Sequence, residues 1–309
     1  YKVLASDRKS YALKYYPDQI SDRRTRLKTE FSAFCILHQH KITNTPKAVG
    51  NNDDLNLGLY EWINGGSITK PSVDDLDQAI DFVEKLYLIS QKIDGNDIDL
   101  ASEACLSANE LISQIEKRLL RLRQESKHFQ ELSTFLDATF EPLWAKVKDE
   151  SISLWPLETL HNNLPQEKRT LSSSDFGFHN CLKSDDGILS FLDFDYFGWD
   201  DPVKLIADFI WHPAMTLNDN HKKKWLENSF LIFKYTEEIK QRFHAAWPLY
   251  GMRWAMILLN EFRKDGWEKK LHVDENMEKL REQKLREQVN KTTAVCDLIK
   301  SHQMECPYV

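Results

Sequence analysis

The chain has 309 residues, 41% of them hydrophobic, and a formal net charge of −7. That length accommodates one large domain or two lobes around a sizeable core. The mixed, mildly acidic charge argues against a nucleic-acid partner, which would call for a basic face, and no apolar run reaches the roughly 18–20 residues of a membrane span. No signal peptide is visible, and basic runs such as Lys222-Lys223-Lys224 read as solvated helix surface. The five cysteines, Cys35, Cys105, Cys181, Cys296 and Cys306, form no CxxC pair. They point to reduced thiols in a cytoplasmic protein without a zinc site, with Cys35 expected inside a buried helix.

In chain order, Tyr1 to Ala5 and Tyr11 to Tyr16 read as two strands joined by a polar turn, with Lys14 inside the second. Because Tyr1 sits mid-strand and is not Met, further residues are expected upstream. Asp22 to His40 reads as a helix, with Leu27, Phe31, Phe34 and Leu37 at helical spacing. Ala48-Val49 and Leu55 to Ile63 read as strands around the turn Asn51-Asn52-Asp53-Asp54. Asn64-Gly65-Gly66-Ser67 reads as the clearest linker, and it divides residues 1–63 from 64–309. Beyond it the expected helices are Val73 to Ser90, Ser107 to Leu122, Phe129 to Val147, Pro202 to Trp211, Leu226 to Phe243, Tyr250 to Phe262 and a charged helix from Asn276 to about Ser301. The tandem Lys-Leu-Arg-Glu-Gln in the last of these reads as amphipathic surface and not as a repeat architecture. Short strands between Thr170 and Asp195 interrupt the helices.

Several residues suggest chemistry. Lys14 is unusual inside a strand unless it meets water or a partner. Glu30 borders the apolar face of its helix and needs a cation there. A strand lysine held by a helix glutamate suits the grip on ATP phosphates. Glu61 to Ile63, at the end of a strand, would offer backbone groups to an adenine edge. Asp175 and Asn180 lie five residues apart on a loop, and the hairpin Ser184-Asp185-Asp186-Gly187 then delivers Asp193 at the end of an apolar strand. Asn180 and Asp193 fit the few protein oxygens that Mg2+ takes beside phosphate, and Asp175 could accept the proton of an attacking hydroxyl. Asp195 could assist the metal, touch substrate or be structural. Asp201 reads as an N-cap before Pro202. His179 and His212 read as packing or hydrogen-bonding residues.

These residues resemble the aminoglycoside phosphotransferase and choline kinase-like family, whose loop commonly reads His-Gly-Asp-Leu-His-Pro-Gly-Asn. Asp175 and Asn180 match its Asp and Asn, and Asp193 in Leu192-Asp193-Phe194-Asp195-Tyr196 matches its magnesium-binding Asp. Lys14 and Glu30 are similar to its phosphate lysine and helix glutamate, Glu61 to Ile63 to its hinge, and Gly198 to Pro202 with Leu205, Ala207 and Asp208 to its Gly-Asp-Pro region. The resemblance covers about Tyr1 to Pro213. It implies an α+β, bilobal protein-kinase-like fold, with a small β-rich nucleotide-binding N-lobe, incomplete at its N-terminus, and a larger helical C-lobe carrying the catalytic loop, metal site and substrate pocket. Ser173 stands where the family has its first His. The family's Gly-rich phosphate loop does not occur before Gly50, and its expected place is upstream of Tyr1.

The function expected on this basis is an ATP- and Mg2+-dependent kinase acting on a hydroxyl of a small molecule such as an aminoglycoside, amino alcohol or sugar. Asp195, Asp200 and Asp201 lean the substrate toward a cation. The alternative is a nucleotide-binding pseudokinase serving as a partner module. A protein kinase proper fits less well, because the run from Asp195 to Pro202 leaves no room for a long activation loop. Oligomeric state is not legible.

Overall fold

In the computed structural model, which describes residues 1–6, 8–17, 24–93, 97–234, 236–263 and 277–309, the chain divides into two compact units. One comprises Tyr1–Ala104 and Leu164–Lys234, the other Cys105–Asn163 and Tyr235–Val309.

The first unit opens with the antiparallel strands β1 (Lys2–Leu4) and β2 (Ser10–Tyr15). After them come helix α1 (Arg26–Gln39) and strands β3 (Ala48–Asn52) and β4 (Leu57–Glu61). The strands form one sheet in the order β1-β2-β4-β3. α1 buries Leu27, Glu30, Ala33, Phe34 and Leu37, a stripe at the spacing that predicts it. Asp22, the expected helix start, lies outside the described residues. Cys35 does not follow expectation: it falls on the exposed side of α1, and all five cysteines are free thiols.

The β3–β4 turn lies at residues 53–56, later than the sequence suggests, with Asn56 in the left-handed region at φ 49°. The inward face of β4 carries Gly58 and Tyr60. Gly58 is required there, because a Cβ would sit 2.5 Å from the Tyr60 hydroxyl oxygen. The expected linker is partly strand: β5 (Gly66–Ser67) pairs with Lys183 and Leu182. A Cβ on Gly65 would meet the Lys183 carbonyl oxygen at 2.7 Å.

Helix α2 (Val73–Ser90) has the predicted bounds. Its start is a capping box, in which Asp75 N–H donates to Ser72 Oγ and Ser72 N–H to Asp75 Oδ2. The chain then contributes α3 (Ala108–Ser126), α4 (Gln130–Phe135), α5 (Glu141–Leu154) and α6 (Leu157–Leu160) to the second unit. A π-helical turn, Leu136–Phe140, joins α4 to α5, so the single helix expected over Phe129 to Val147 carries an extra residue per turn at its middle.

Back in the first unit, β6 (Thr170–Ser172), β7 (Cys181–Lys183), β8 (Leu189–Phe191) and β9 (Gly198–Asp200) are short. β5, β7 and β8 make one small sheet, and β6 and β9 a two-stranded ribbon. α7 (Pro202–Trp211) starts as predicted, with Asp201 accepting from Val203 N–H at 2.8 Å. α8 (Asp219–Ile232) and α9 (Glu237–Leu258) replace the helices expected at Leu226 to Phe243 and Tyr250 to Phe262. The break falls before Thr236, whose hydroxyl caps α9. Pro248 suggests an interruption, yet α9 runs through it, in a stretch buried from Ala245 to Met256. Packing of that stretch compensates for the missing N–H. α10 (Met277–Ser301) closes the chain. No helix is long and apolar enough to cross a membrane among the described residues.

The core of the first unit is a continuous run of aromatic rings. Phe34 meets Phe194 (centroids 5.2 Å apart) and Phe82 meets Phe191 (4.4 Å). Phe176 joins Phe191 at 5.1 Å and Phe209 at 5.8 Å, and Phe209 stacks on Trp225 at 3.7 Å. Phe176 and Phe194 directly follow Asp175 and Asp193. Burial of these two rings, each favourable by about 1.5–3 kcal/mol, fixes the backbone from which the two carboxylates project. In the second unit the buried Arg242 lies 5.0 Å from the Trp155 ring centroid and donates to Thr159 Oγ1 at 2.5 Å.

Candidate active site

The site is built on one face of β2. Lys14 projects from β2 toward α1, and its Nζ lies 2.7 Å from Glu30 Oε2 and 2.5 Å from Asp193 Oδ1. Burial works to lower the Lys14 pKa, but the carboxylates of Glu30 and Asp193 outweigh it and hold the ammonium above its ordinary value. Glu30 is 2% exposed. Its burial raises the carboxyl pKa, opposed mainly by the Lys14 charge. Glu30 is satisfied on both oxygens: Oε2 also accepts from the Tyr16 hydroxyl, and Oε1 accepts from Phe194 N–H at 3.0 Å. Glu30 thus holds the lysine and the backbone beside Asp193 at once.

Tyr16 and Tyr60 extend this network. Their hydroxyl oxygens are 2.7 Å apart, and burial pushes both phenols well above the ordinary tyrosine range. Neither is singled out by the sequence reading. Tyr16 was findable, because it lies two residues beyond Lys14 on an extended chain and shares its face. Tyr60 was not, since its place depends on the β2–β4 register that sets it opposite Ala12.

Asp193 is in the left-handed region at φ 63°, uncommon for a residue with a Cβ and concentrated at functional sites. Asp193 and Asp195, two residues apart, therefore do not face the same way as they would in extended chain. Asp193 turns to Lys14, whereas Asp195, 6% exposed, pairs with Arg26 at 2.8 Å. Burial raises the Asp195 pKa, as does the Asp193 charge, against the pull of Lys14 and Arg26.

Asp175 and Asn180 form a second group. Asn180 ends a 3-10 turn, Phe178–Asn180, and its Nδ2 donates to the Asp175 carbonyl oxygen at 3.0 Å and lies 3.5 Å from Asp175 Oδ2. That orientation leaves Oδ1 of Asn180 as the atom a cation would meet. The two groups are joined by backbone, since Leu192 N–H donates to the Asn180 carbonyl oxygen at 2.8 Å. Asp193, Asn180 and the Asp175 carboxylate are hard oxygen donors, the set that suits Mg2+ beside phosphate.

His179 and His212 do both things expected of them, packing and hydrogen bonding, and their polar partner is Asp175. Their rings stack at 3.9 Å and 5°. His179 Nε2 lies 3.1 Å from Asp175 Oδ1, and His212 Nε2 lies 3.5 Å from the same oxygen. Burial works to raise the Asp175 pKa, yet the hydrogen bond and charge of His179, with His212 and Lys204, bring it below the ordinary carboxylate value. His212 is lowered to about 4, chiefly by burial. These three side chains are close enough to hold a metal ion. Ala214 N–H donates to His212 Nδ1 at 3.2 Å, however, which places the ring proton on Nε2, facing Asp175. Coordination through Nε2 would require the opposite tautomer.

Glu61 and Ile63 stand apart from both groups. Glu61 is exposed, pairs with Tyr11 on β2, and donates its N–H to the Lys47 carbonyl oxygen at 2.9 Å. Ile63 lies just past the end of β4. Asp200 and Asp201, which lean the expected substrate toward a cation, are 0% and 1% exposed. They serve Lys204 and the start of α7. With Asp195 committed to Arg26, none of the three supplies a negative surface to a substrate, and that basis for a cationic preference does not stand.

A model of the phosphotransferase enzyme family matches residues 1–229. A search of curated protein sequences found no match. Among solved structures, a spectinomycin phosphotransferase in complex with ADP and spectinomycin is similar at TM-score 0.60 and 10% identity, over 94% of this chain and 87% of that one. A choline/ethanolamine kinase family protein from Mesorhizobium loti is similar at TM-score 0.56 and 15% identity, over 96% and 83%. An ethanolamine kinase from Plasmodium vivax is similar at TM-score 0.53 and 17% identity, over 85% and 73%. These likenesses show a protein-kinase-like α+β fold.

Proposed function

The chain belongs to the phosphotransferase enzyme family, and on that premise we propose that it transfers the γ-phosphoryl group of ATP to a hydroxyl of a small molecule, such as an aminoglycoside, amino alcohol or sugar. The observation that carries this reading is the Lys14 ammonium held between Glu30 and Asp193, with Asn180 tied by backbone to Leu192 beside them. Residues 1–63 bind the nucleotide in this reading, and residues 64–309 supply the catalytic loop, the metal ligands and the substrate pocket. Lys14, oriented by Glu30, binds the phosphates, and the backbone near Glu61 and Ile63 meets the adenine. Asn180 and Asp193 would hold Mg2+, which would supply positive charge against the negative charge developing in the transition state.

Asp175 orients the acceptor hydroxyl and takes its proton as the oxygen attacks phosphorus. The bond from γ-phosphorus to the bridging oxygen breaks as the new one forms, and ADP leaves. A carboxylate held below its ordinary pKa is a weak base. It suits a loose transition state, in which catalysis is mainly positioning and the proton moves late. Asp195, paired with Arg26, is structural in this reading. The enzyme acts in the cytoplasm on a free small molecule, without nucleic-acid or membrane partners.

The test is ATP consumption against a panel of sugars, amino alcohols and aminoglycosides, with Asp175→Ala as the control. A loss of about 10²–10⁴-fold is expected in the variant, and unchanged turnover would remove Asp175 from its role. A second reading, a nucleotide-binding pseudokinase serving as a partner module, is favoured by Ser173 at the position of the family's His. Stabilisation by Mg-ATP without transfer to any acceptor would select it.

A further inference from the structure

Lys204 is the third residue of α7, in its first turn, and is 1% exposed. Its ammonium is surrounded by four oxygens. Asp200 Oδ2 at 2.9 Å, from the end of β9, and Asp208 Oδ2 at 3.2 Å, from one turn further along α7, form ion pairs with it. Ser174 Oγ at 3.1 Å and the Ser174 carbonyl oxygen at 3.3 Å accept hydrogen bonds from it. Burying such a triad is costly, and a well-packed apolar side chain would often serve stability as well. The ammonium does something an apolar side chain cannot do: it grips the residue immediately before Asp175.

Ser174 has φ 65°, a conformation that a residue with a Cβ rarely adopts and that persists only where its surroundings over-determine it. The surroundings here are specific. Ser174 N–H donates to Ser172 Oγ at 2.9 Å, and Ser174 Oγ donates to the Ser102 carbonyl oxygen at 2.7 Å. The Ser102 segment is itself fixed, because Ala101 N–H donates to the Trp199 carbonyl oxygen at 2.9 Å and Ser102 N–H to that of Tyr196 at 3.1 Å. Lys204 completes the set by holding the Ser174 carbonyl, the group whose peptide plane leads directly into Asp175.

We propose that Lys204 is a positioning residue for phosphoryl transfer: its ammonium clamps Ser174 in the left-handed conformation and thereby aims the Asp175 carboxylate. This rests on the role given to Asp175 above. Lys204 touches neither substrate nor nucleotide in this scheme; it acts through one backbone carbonyl and one hydroxyl.

The experiment compares wild type, Lys204→Met, the charge-free Asp200→Asn/Lys204→Met/Asp208→Asn, and each variant with Ser174→Gly added. Turnover of Mg-ATP is measured with the best acceptor of the panel, and hydrogen exchange across residues 172–181 is measured in Mg-ADP. Lys204→Met is expected to lower kcat by about 10²-fold, with the KM for ATP within about threefold of wild type, and to speed exchange across 172–181. Adding Ser174→Gly recovers part of both, since glycine takes a positive φ without the Cβ penalty. If Lys204→Met does not fold, the charge-free variant takes its place, because it leaves no unpaired buried carboxylate. A folded variant with unchanged kcat and exchange overturns the proposal, and so does a loss that Ser174→Gly leaves untouched. A wild type that transfers no phosphate counts against the kinase reading alone, and the exchange measurement still decides the role of Lys204.

Discussion

Lys14 Nζ is closer to Asp193 Oδ1, at 2.5 Å, than to Glu30 Oε2, at 2.7 Å. The lysine proposed to bind phosphates and the carboxylate proposed to bind Mg2+ therefore form an ion pair with each other. A nucleotide with its metal must replace that contact with two better ones, phosphate to Lys14 and cation to Asp193.

Asp193→Asn tests this exchange. The variant keeps the shape but loses the charge, so the metal is held less firmly and transition-state charge is less well neutralised. Turnover is expected to fall by more than about 10²-fold. In thermal denaturation, the extra stabilisation that Mg2+ adds to ADP binding is expected to disappear. An undiminished Mg2+ increment would take Asp193 out of the metal site.

Tyr16→Phe and Tyr60→Phe probe the hydroxyl pair beneath Glu30. Each removes a buried hydrogen bond, at a cost of about 1–2 kcal/mol in urea denaturation. Because the two hydroxyls are 2.7 Å apart, the double variant should cost less than the two singles together, with a coupling of about 0.5–1 kcal/mol. Additive costs would mean that the hydroxyls do not act as a unit.

His212 makes stability pH-dependent. Its pKa is about 4 in the folded chain against an ordinary 6.5. Between those values the unfolded chain binds more protons, so stability rises with pH across the window and falls on acidification from about pH 6.5 to 4. The contribution is at most about 3 kcal/mol. Thermal denaturation across this range should show a shallower slope for His212→Asn than for wild type. Parallel slopes would locate the titration elsewhere.

Gly177→Ala should damage activity more than folding. Gly177 has an extended backbone at φ 171°, which alanine tolerates, but its Cβ would sit 2.8 Å from both His179 Nδ1 and Met215 Sδ. Met215 ends in a flexible thioether and can yield. The His179 ring is wedged between Asp175 and His212 and must shift instead. A loss of turnover of about tenfold or more is expected, with an unchanged Mg-ADP thermal shift. Equal losses in nucleotide stabilisation and turnover would point to a general disruption.

Local pattern carried much of this architecture. α2 and α7 have the bounds that pattern suggests, since the apolar stripe of α2 is regular and Asp201 is a strong N-cap signal for α7. Lys14, Glu30 and Asp193 were legible because each is a charge placed on or beside an apolar face, where it needs a partner. What stayed hidden depends on contacts between distant segments. Arg26 closes on Asp195 across 169 positions, and Lys204 reaches Ser174 across 30. No window of sequence reports such pairs. The course of α9 depends on packing in the same way, since it runs through Pro248 in a stretch buried from Ala245 to Met256.

The ribbon of β6 and β9 has a consequence for how this site can vary. Thr170 faces Asp200 and Ser172 faces Gly198, so residues 173–197 leave the ribbon and return to it as one closed excursion that includes Asp175, Asn180 and Asp193. Midway through, the hairpin tip beyond the paired strands exposes Asp185 and Asp186, while the Gly187 carbonyl accepts from Gln78 Nε2 of α2 at 2.9 Å. Doubling the length of a flexible loop adds only about 0.6 kcal/mol of closure cost. Extra residues at that tip would leave the ribbon and the three oxygen-bearing side chains where they are. The tip at Asp185-Asp186 is the natural point for attaching a reporter or a tether to this chain.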